Sequence, residues 1–113
     1  MKDDYPKRGD VYWVHLDPTD GKEINKTRPC LIISSDIANR SELIVVAPIT
    51  SNVERIFSRI EVKISLDGKL GKVIPRQMRS IDRTKRLGKK MGAISSEEMK
   101  LVDDAIRVIL DLT

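Results

Sequence analysis

The sequence predicts one small α+β domain, a barrel-like set of short strands closed by a single terminal helix. Three observations predict it. Apolar and β-branched runs of six to nine residues recur along the first eighty or so positions, separated by Pro, Gly and Asp turns. The last segment switches to a helical period behind an N-capping signal. The 113 residues hold no repeat, low-complexity stretch or linker, so a single domain over 1–113 is expected, with a polar, flexible tail at 1–7.

Val11–Leu16 (Val-Tyr-Trp-Val-His-Leu) has the β-branched and aromatic content of a strand. Asp17-Pro18-Thr19-Asp20-Gly21 breaks it, and a polar loop runs to Thr27. Pro29–Ser34 is the second strand, with Pro29 at its start because proline lacks a backbone donor. Ser35–Glu42 is polar, a loop or one helical turn. Leu43–Ile49 is almost continuously apolar, which suits a buried third strand. Ser58–Leu66 alternates, with Ile60, Val62 and Ile64 on one face and Arg59, Glu61, Lys63 and Ser65 on the other. Asp67-Gly68 marks a tight turn. Lys72–Ile81 supplies one or two short strands around Pro75, and Met91–Ile94 adds another.

Ser95-Ser96-Glu97-Glu98 reads as a capping box, Ser95 the N-cap and Glu98 at the third helical position. Met99, Val102, Ile106 and Ile109 then recur at helical spacing. Leu101, Ala105, Val108 and Leu112 form a second stripe beside them. So wide an apolar face suits a helix packed on a sheet, with surface left for a partner subunit.

Composition narrows the function classes. Apolar residues make up 40% and charged residues 34%, a globular balance with no eighteen-residue apolar run to span a membrane. The polar N-terminus lacks an apolar signal core, and the lone cysteine, Cys30, fits a reducing cytoplasm. One Cys and one His, His15, cannot supply a four-ligand zinc site. Between Lys69 and Lys90 stand nine basic residues against one acid, Asp82, a local charge of +8. Such a stretch suits either a phosphate backbone or a solvated face.

Three segments in order give a more specific signal: Arg8-Gly9-Asp10-Val11-Tyr12-Trp13-Val14 with Leu16-Asp17-Pro18-Thr19; Gly21-Lys22-Glu23 with Lys26-Thr27-Arg28-Pro29-Cys30-Leu31-Ile32-Ile33-Ser34; and Val45-Val46-Ala47-Pro48-Ile49-Thr50-Ser51. Gln77-Met78-Arg79-Ser80-Ile81-Asp82 and Arg86-Leu87 follow. Together, over residues 8–112, the chain resembles the MazF/PemK toxin family. The resemblance implies an SH3-like β-barrel of the MazF/PemK/CcdB type with a C-terminal helix, assembled as a homodimer. It implies an endoribonuclease toxin needing no metal or cofactor, which cuts single-stranded RNA (mRNA) at short sequences in the cytoplasm. The ribose 2′-hydroxyl would attack, leaving a 2′,3′-cyclic phosphate and a 5′-hydroxyl. A cognate antitoxin protein would neutralise it.

Carried over by position, the resemblance puts the catalytic pair on Arg28 and Thr50, Glu23 on a loop beside the substrate, and Ser51 and Gln77 along the site. Arg76, Arg79 and Arg86, in the basic stretch, join them as substrate contacts. The chemistry agrees for Arg28, whose planar, permanently charged fork matches two phosphate oxygens. Thr50 can add a hydroxyl donor to the same phosphate. The general base is open. Arginine is too weak a base, Glu23 is chemically apt, and His15 has the right titration range inside a strand pattern. One branch of the family has an Asp before the Gln and a His before the loop Glu; here those positions are Arg76 and Lys22. Trp13 reads as core or dimer packing, with base stacking as the alternative, and Cys30 as a small buried hydrophobe. Two rival readings are a gyrase-poisoning toxin on the same fold, disfavoured by the Asp111-Leu112-Thr113 ending, and a catalytically silent RNA-binding barrel.

Overall fold

The structure, a computed structural model, describes residues 5–112; residues 1–4 of the expected tail and Thr113 lie outside the described residues. Residues 5–7 of that tail are held in place. Pro6 is buried, and the Tyr5 ring lies 4.8 Å from the Arg83 guanidinium carbon and 5.9 Å from that of Arg40. The Lys7 amide donates to Asp10 Oδ2 at 2.9 Å.

Among the described residues, seven strands form one curled antiparallel sheet: β1 (Asp10–His15), β2 (Thr27–Ile32), β3 (Leu43–Thr50), β4 (Val62–Leu66), β5 (Lys69–Val73), β6 (Arg79–Asp82) and β7 (Leu87–Ala93). A one-turn helix, α1 (Arg83–Arg86), and the terminal helix, α2 (Ser96–Leu110), complete the α+β fold. The strand order is β4-β5-β3-β2-β1-β7. β3 is the hub: its first half pairs with β6, its last two residues with β5, and its middle with β2. One strand serving three neighbours forces the sheet to split and curl.

Side-chain alternation then makes two cores. Val11, Leu31, Ala47, Ile49 and Val73 meet Met99, Val102 and Ala105 of α2. Val14, Leu16, Cys30, Ile32, Ile44, Val46 and Ile81 pack inside the curl. The capping box forms as expected, and in the first helical stripe Met99 and Val102 are buried while Ile106 and Ile109 are half-buried. In the second stripe only Ala105 enters the core; Leu101 and Leu112 stay 55% exposed. No described helix is long and apolar enough to cross a membrane.

Several boundaries shift. β2 begins at Thr27, so Pro29 lies inside it, at a point where β2 pairs with β1 and the ladder to β3 has not begun. β5 begins at Lys69, directly after the Asp67-Gly68 turn, where both residues have positive φ, 51° and 79°. β7 begins at Leu87 rather than Met91. β4 begins at Val62, because the amides of Ile60 and Glu61 both turn back onto the Phe57 carbonyl. That turn ends the expected alternation, and Glu61 is 7% exposed instead of facing solvent.

Candidate functional site

β2 and β3 bring the expected catalytic pair together. Their register runs Ile32↔Val46, Leu31↔Ala47 and Cys30↔Pro48 and stops there; Arg28 and Thr50 lie two residues beyond it, one on each strand. Both residues, with Ser51, line a cavity of about 330 Å³. Its other walls include Trp13, Leu66, Leu70, Gly71 and Met91. Trp13, expected as core or dimer packing, is thus 40% exposed at the cavity wall. Gly71 lets the strands approach closely there: a Cβ would meet the Thr50 carbonyl oxygen at 3.1 Å, a tight contact.

The donors face no competing partner. Arg28 spends its Nε–H on the Asn25 carbonyl at 3.2 Å, and its terminal nitrogens have no protein partner among the described residues. Thr50 Oγ1 accepts the Asn52 amide at 3.3 Å, which leaves the hydroxyl proton to donate. A guanidinium edge and a hydroxyl donor on one cavity can hold a phosphate.

Glu23 is elsewhere. It lines a separate cavity of about 330 Å³ with Ile24, Arg76, Gln77 and Arg79, and its Oε1 accepts the Asp20 amide at 3.3 Å. His15 is exposed on β1, with Nδ1 2.8 Å from Thr27 Oγ1. Neither candidate base lines the Arg28–Thr50 cavity.

The basic stretch is not one open surface. Gln77 Oε1 accepts the Ile24 amide at 2.7 Å. Arg79 donates to the Leu16 carbonyl at 3.0 Å, and Arg86 to those of His15 at 2.9 Å and Asp17 at 2.7 Å. These three side chains pin the loop between β1 and β2 at both ends, a role that charge counting did not reveal. Lys90 lies 3.5 Å from Asp10, and Arg83 donates to the Ser41 carbonyl.

The residue that sequence reading missed is Glu61. Its Oε1 accepts from Lys72 Nζ at 2.7 Å and from the Phe57 amide at 3.1 Å, and Oε2 lies 3.6 Å from Arg76. Burial pushes its pKa up, but the Lys72 and Phe57 hydrogen bonds and the charges of Lys72 and Arg76 outweigh that. The carboxyl is held below its ordinary value. Arg76 also covers the Phe57 ring at 5.4 Å. No local pattern marks it, because Glu61 precedes β4 and its partner Lys72 lies on another strand. Cys30 is buried as expected, and burial pushes its thiol up to about 12. No group of three His, Cys, Asp or Glu side chains gathers into a metal-binding cluster among the described residues.

Comparison with known proteins gives the family and the fold. A family model described as PemK-like, MazF-like toxin of type II toxin–antitoxin system matches residues 7–110. The chain is 33% identical to Endoribonuclease MazF9 of Mycobacterium tuberculosis, covering 94% of this chain and 97% of that one. It is 34% identical to Endoribonuclease EndoA of Bacillus subtilis, covering 94% and 95%. The fold matches the crystal structure of MazF from Deinococcus radiodurans with a TM-score of 0.82 at 23% identity, over 96% of this chain and 99% of that one. It also matches a mycobacterial endoribonuclease in complex with its cognate antitoxin, with a TM-score of 0.79 at 24% identity, over 96% and 97%.

Proposed function

The chain belongs to the PemK-like, MazF-like toxin family of type II toxin–antitoxin systems and is an endoribonuclease, and from that premise we propose that it cleaves single-stranded RNA at a short sequence by attack of the ribose 2′-hydroxyl. The 2′-oxygen bonds to the adjacent phosphorus and the P–O5′ bond breaks. The products are a 2′,3′-cyclic phosphate and a 5′-hydroxyl, with one proton leaving the nucleophile and one reaching the 5′-oxygen.

The observation that carries this reading is the shared cavity of Arg28 and Thr50, with both terminal guanidinium nitrogens and the hydroxyl proton uncommitted among the described residues. Negative charge grows on the phosphorane oxygens as the 2′-oxygen attacks. Donors fixed beforehand at that position stabilise it without reorganisation. Arg28 acts as the charged clamp and Thr50 as the second donor, and the scheme needs no metal. Ser51 and Gln77 line the path of the RNA on either side of Thr50, with Glu23 and Arg76 further along. Arg79 and Arg86 serve the substrate through the loop they hold.

We propose further that the toxin acts on mRNA in the cytoplasm as a homodimer and is neutralised by a cognate antitoxin. The exposed Leu101 and Val108 on α2, with Leu112 just beyond its end, support an assembled state.

The test is incubation of the purified chain with a long unstructured RNA, and the same sequence as DNA, in excess EDTA, with product ends mapped. Discrete RNA fragments bearing 2′,3′-cyclic phosphate and 5′-hydroxyl ends, with intact DNA, are expected. Intact RNA beside a folded, antitoxin-free protein would overturn the reading.

A further inference from the structure

Thr50 lines a second cavity besides the one it shares with Arg28. That cavity, about 530 Å³, is bounded by Ile24, Asn52, Arg55, Lys72 and Gln77 among others. Lys72 lies directly across the β3–β5 ladder from Thr50. Opposed residues in an antiparallel pair project on the same sheet face with their Cβ atoms about 5 Å apart. The stem of Lys72 therefore starts beside the Thr50 hydroxyl and runs along the same cavity.

Its charged end is fixed there. Nζ donates to Glu61 Oε1 at 2.7 Å and to the Arg55 carbonyl. An ammonium has three N–H donors, so one remains. Glu61 is itself held by the Phe57 amide and by Arg76, so the carboxylate cannot swing away with the lysine. Lys72 is 9% exposed and Glu61 7%. A buried pair of this kind is weak evidence for stability, because desolvation offsets most of the attraction. Its use lies in geometry: a positive charge and a spare donor fixed one strand away from Thr50.

We propose that Lys72 is a substrate-binding residue of the same site, contacting an RNA phosphate next to the scissile one, and that Glu61 is the positioning residue that holds Lys72 there. This rests on the endoribonuclease reading above. Bound RNA then passes from the Arg28 cavity over Thr50 into the Lys72 cavity. The segment between β3 and β4 is drawn onto the same anchor, since Arg55 and Phe57 both bond to the Lys72–Glu61 pair.

The experiment measures binding and cleavage on one RNA. Binding uses an RNA carrying a 2′-deoxy nucleotide at the mapped cleavage position, across a series of salt concentrations. Lys72→Met should weaken binding about tenfold, the loss of one charge-assisted hydrogen bond. It should also reduce the slope of log Kd against log salt by about 0.7, one phosphate contact on a single strand. Glu61→Gln should raise KM by about tenfold and leave kcat within about twofold, since it acts through Lys72 on binding. Lys72→Met strands a buried carboxylate at a cost to folding, so the double variant Glu61→Gln/Lys72→Met, which removes both charges, carries the same slope test. In the unmodified protein the Lys72 ε-methylene NMR signal should move when the deoxy-substituted RNA binds. An unchanged salt slope in a folded variant, or a Lys72 signal that stays in place, overturns the proposal. If the unmodified chain itself leaves RNA intact, the endoribonuclease reading fails instead.

Discussion

The amide of Ile24 donates to Oε1 of Gln77 at 2.7 Å across 53 residues of sequence. This bond fixes the far end of the loop between β1 and β2, while Arg79 and Arg86 hold its near end by the Leu16, His15 and Asp17 carbonyls. Gln77→Leu removes the acceptor and keeps the volume. Cleavage kcat/KM should fall about tenfold, the cost of one lost hydrogen bond of roughly 1.4 kcal/mol. Gln77→Glu keeps the acceptor and should retain most of the activity. Hydrogen exchange at the Ile24 amide is the direct check: it should accelerate in the Leu variant and stay slow in the Glu variant.

Arg28→Ala and Thr50→Val each remove a donor from the shared cavity. Each should lower the single-turnover cleavage rate by about 10²–10³, the usual loss for one such donor. Both side chains are only partly buried and neither supports a core, so circular dichroism and thermal melting should match the unmodified chain. Arg28→Lys should not restore the rate, because an ammonium cannot present two parallel N–H groups to a phosphate. Unmodified turnover in Arg28→Ala would remove the site from this cavity.

Glu23→Gln separates a contact from a base. The carboxylate lies on the cavity behind Ile24 and accepts the Asp20 amide, away from Arg28. The rate should therefore fall by less than about tenfold, with the shape of the pH–rate profile kept. A loss of about 10²–10⁴, with the rising limb of that profile gone, would make Glu23 the general base.

Much of this was legible in the sequence, for physical reasons that differ by element. The helix was readable because its capping box and its period are both local, and Ser95 and Glu98 exchange the two expected bonds. The Asp67-Gly68 hairpin was readable because its turn needs two positive φ values. Arg28 and Thr50 could be named as a pair, but only the pairing of β2 with β3 in the fold puts both on one cavity. The loss of β4 at Ser58–Glu61 was hidden, because an alternating pattern continues through residues that the Phe57 turn removes from the sheet. Likewise, the +8 stretch reads as a surface in one dimension. In three dimensions Lys72, Arg76, Arg79, Arg83, Arg86 and Lys90 each have a protein partner from a distant segment.

Glu98 joins the helix to the sheet, and its titration should show in stability. Oε1 accepts the Ser95 amide at 2.9 Å, closing the capping box. Oε2 accepts the Ser65 amide of β4 at 2.8 Å, at the sheet edge. Burial raises the pKa of this carboxyl, but the Ser95 and Ser65 amides and the Ser95 hydroxyl together outweigh it, so the folded value lies below the ordinary one. A carboxyl lowered on folding contributes stability above its unfolded pKa of about 4.3, and that contribution disappears as pH falls through the folded value. Glu61 is shifted in the same direction. Urea unfolding should therefore show a midpoint that is flat near neutrality and drops below about pH 4.3. Glu98→Ala should cost about 2 kcal/mol at pH 7, the range for hydrogen bonds to a charged group, and should flatten part of the acid limb. Ser95→Ala, which removes only the N-cap oxygen, should cost about 1 kcal/mol and leave the acid limb steeper than Glu98→Ala does. Equal acid limbs in the unmodified chain and Glu98→Ala would mean that Glu98 holds the same pKa folded and unfolded, and that its two amide bonds add no charge-dependent stability.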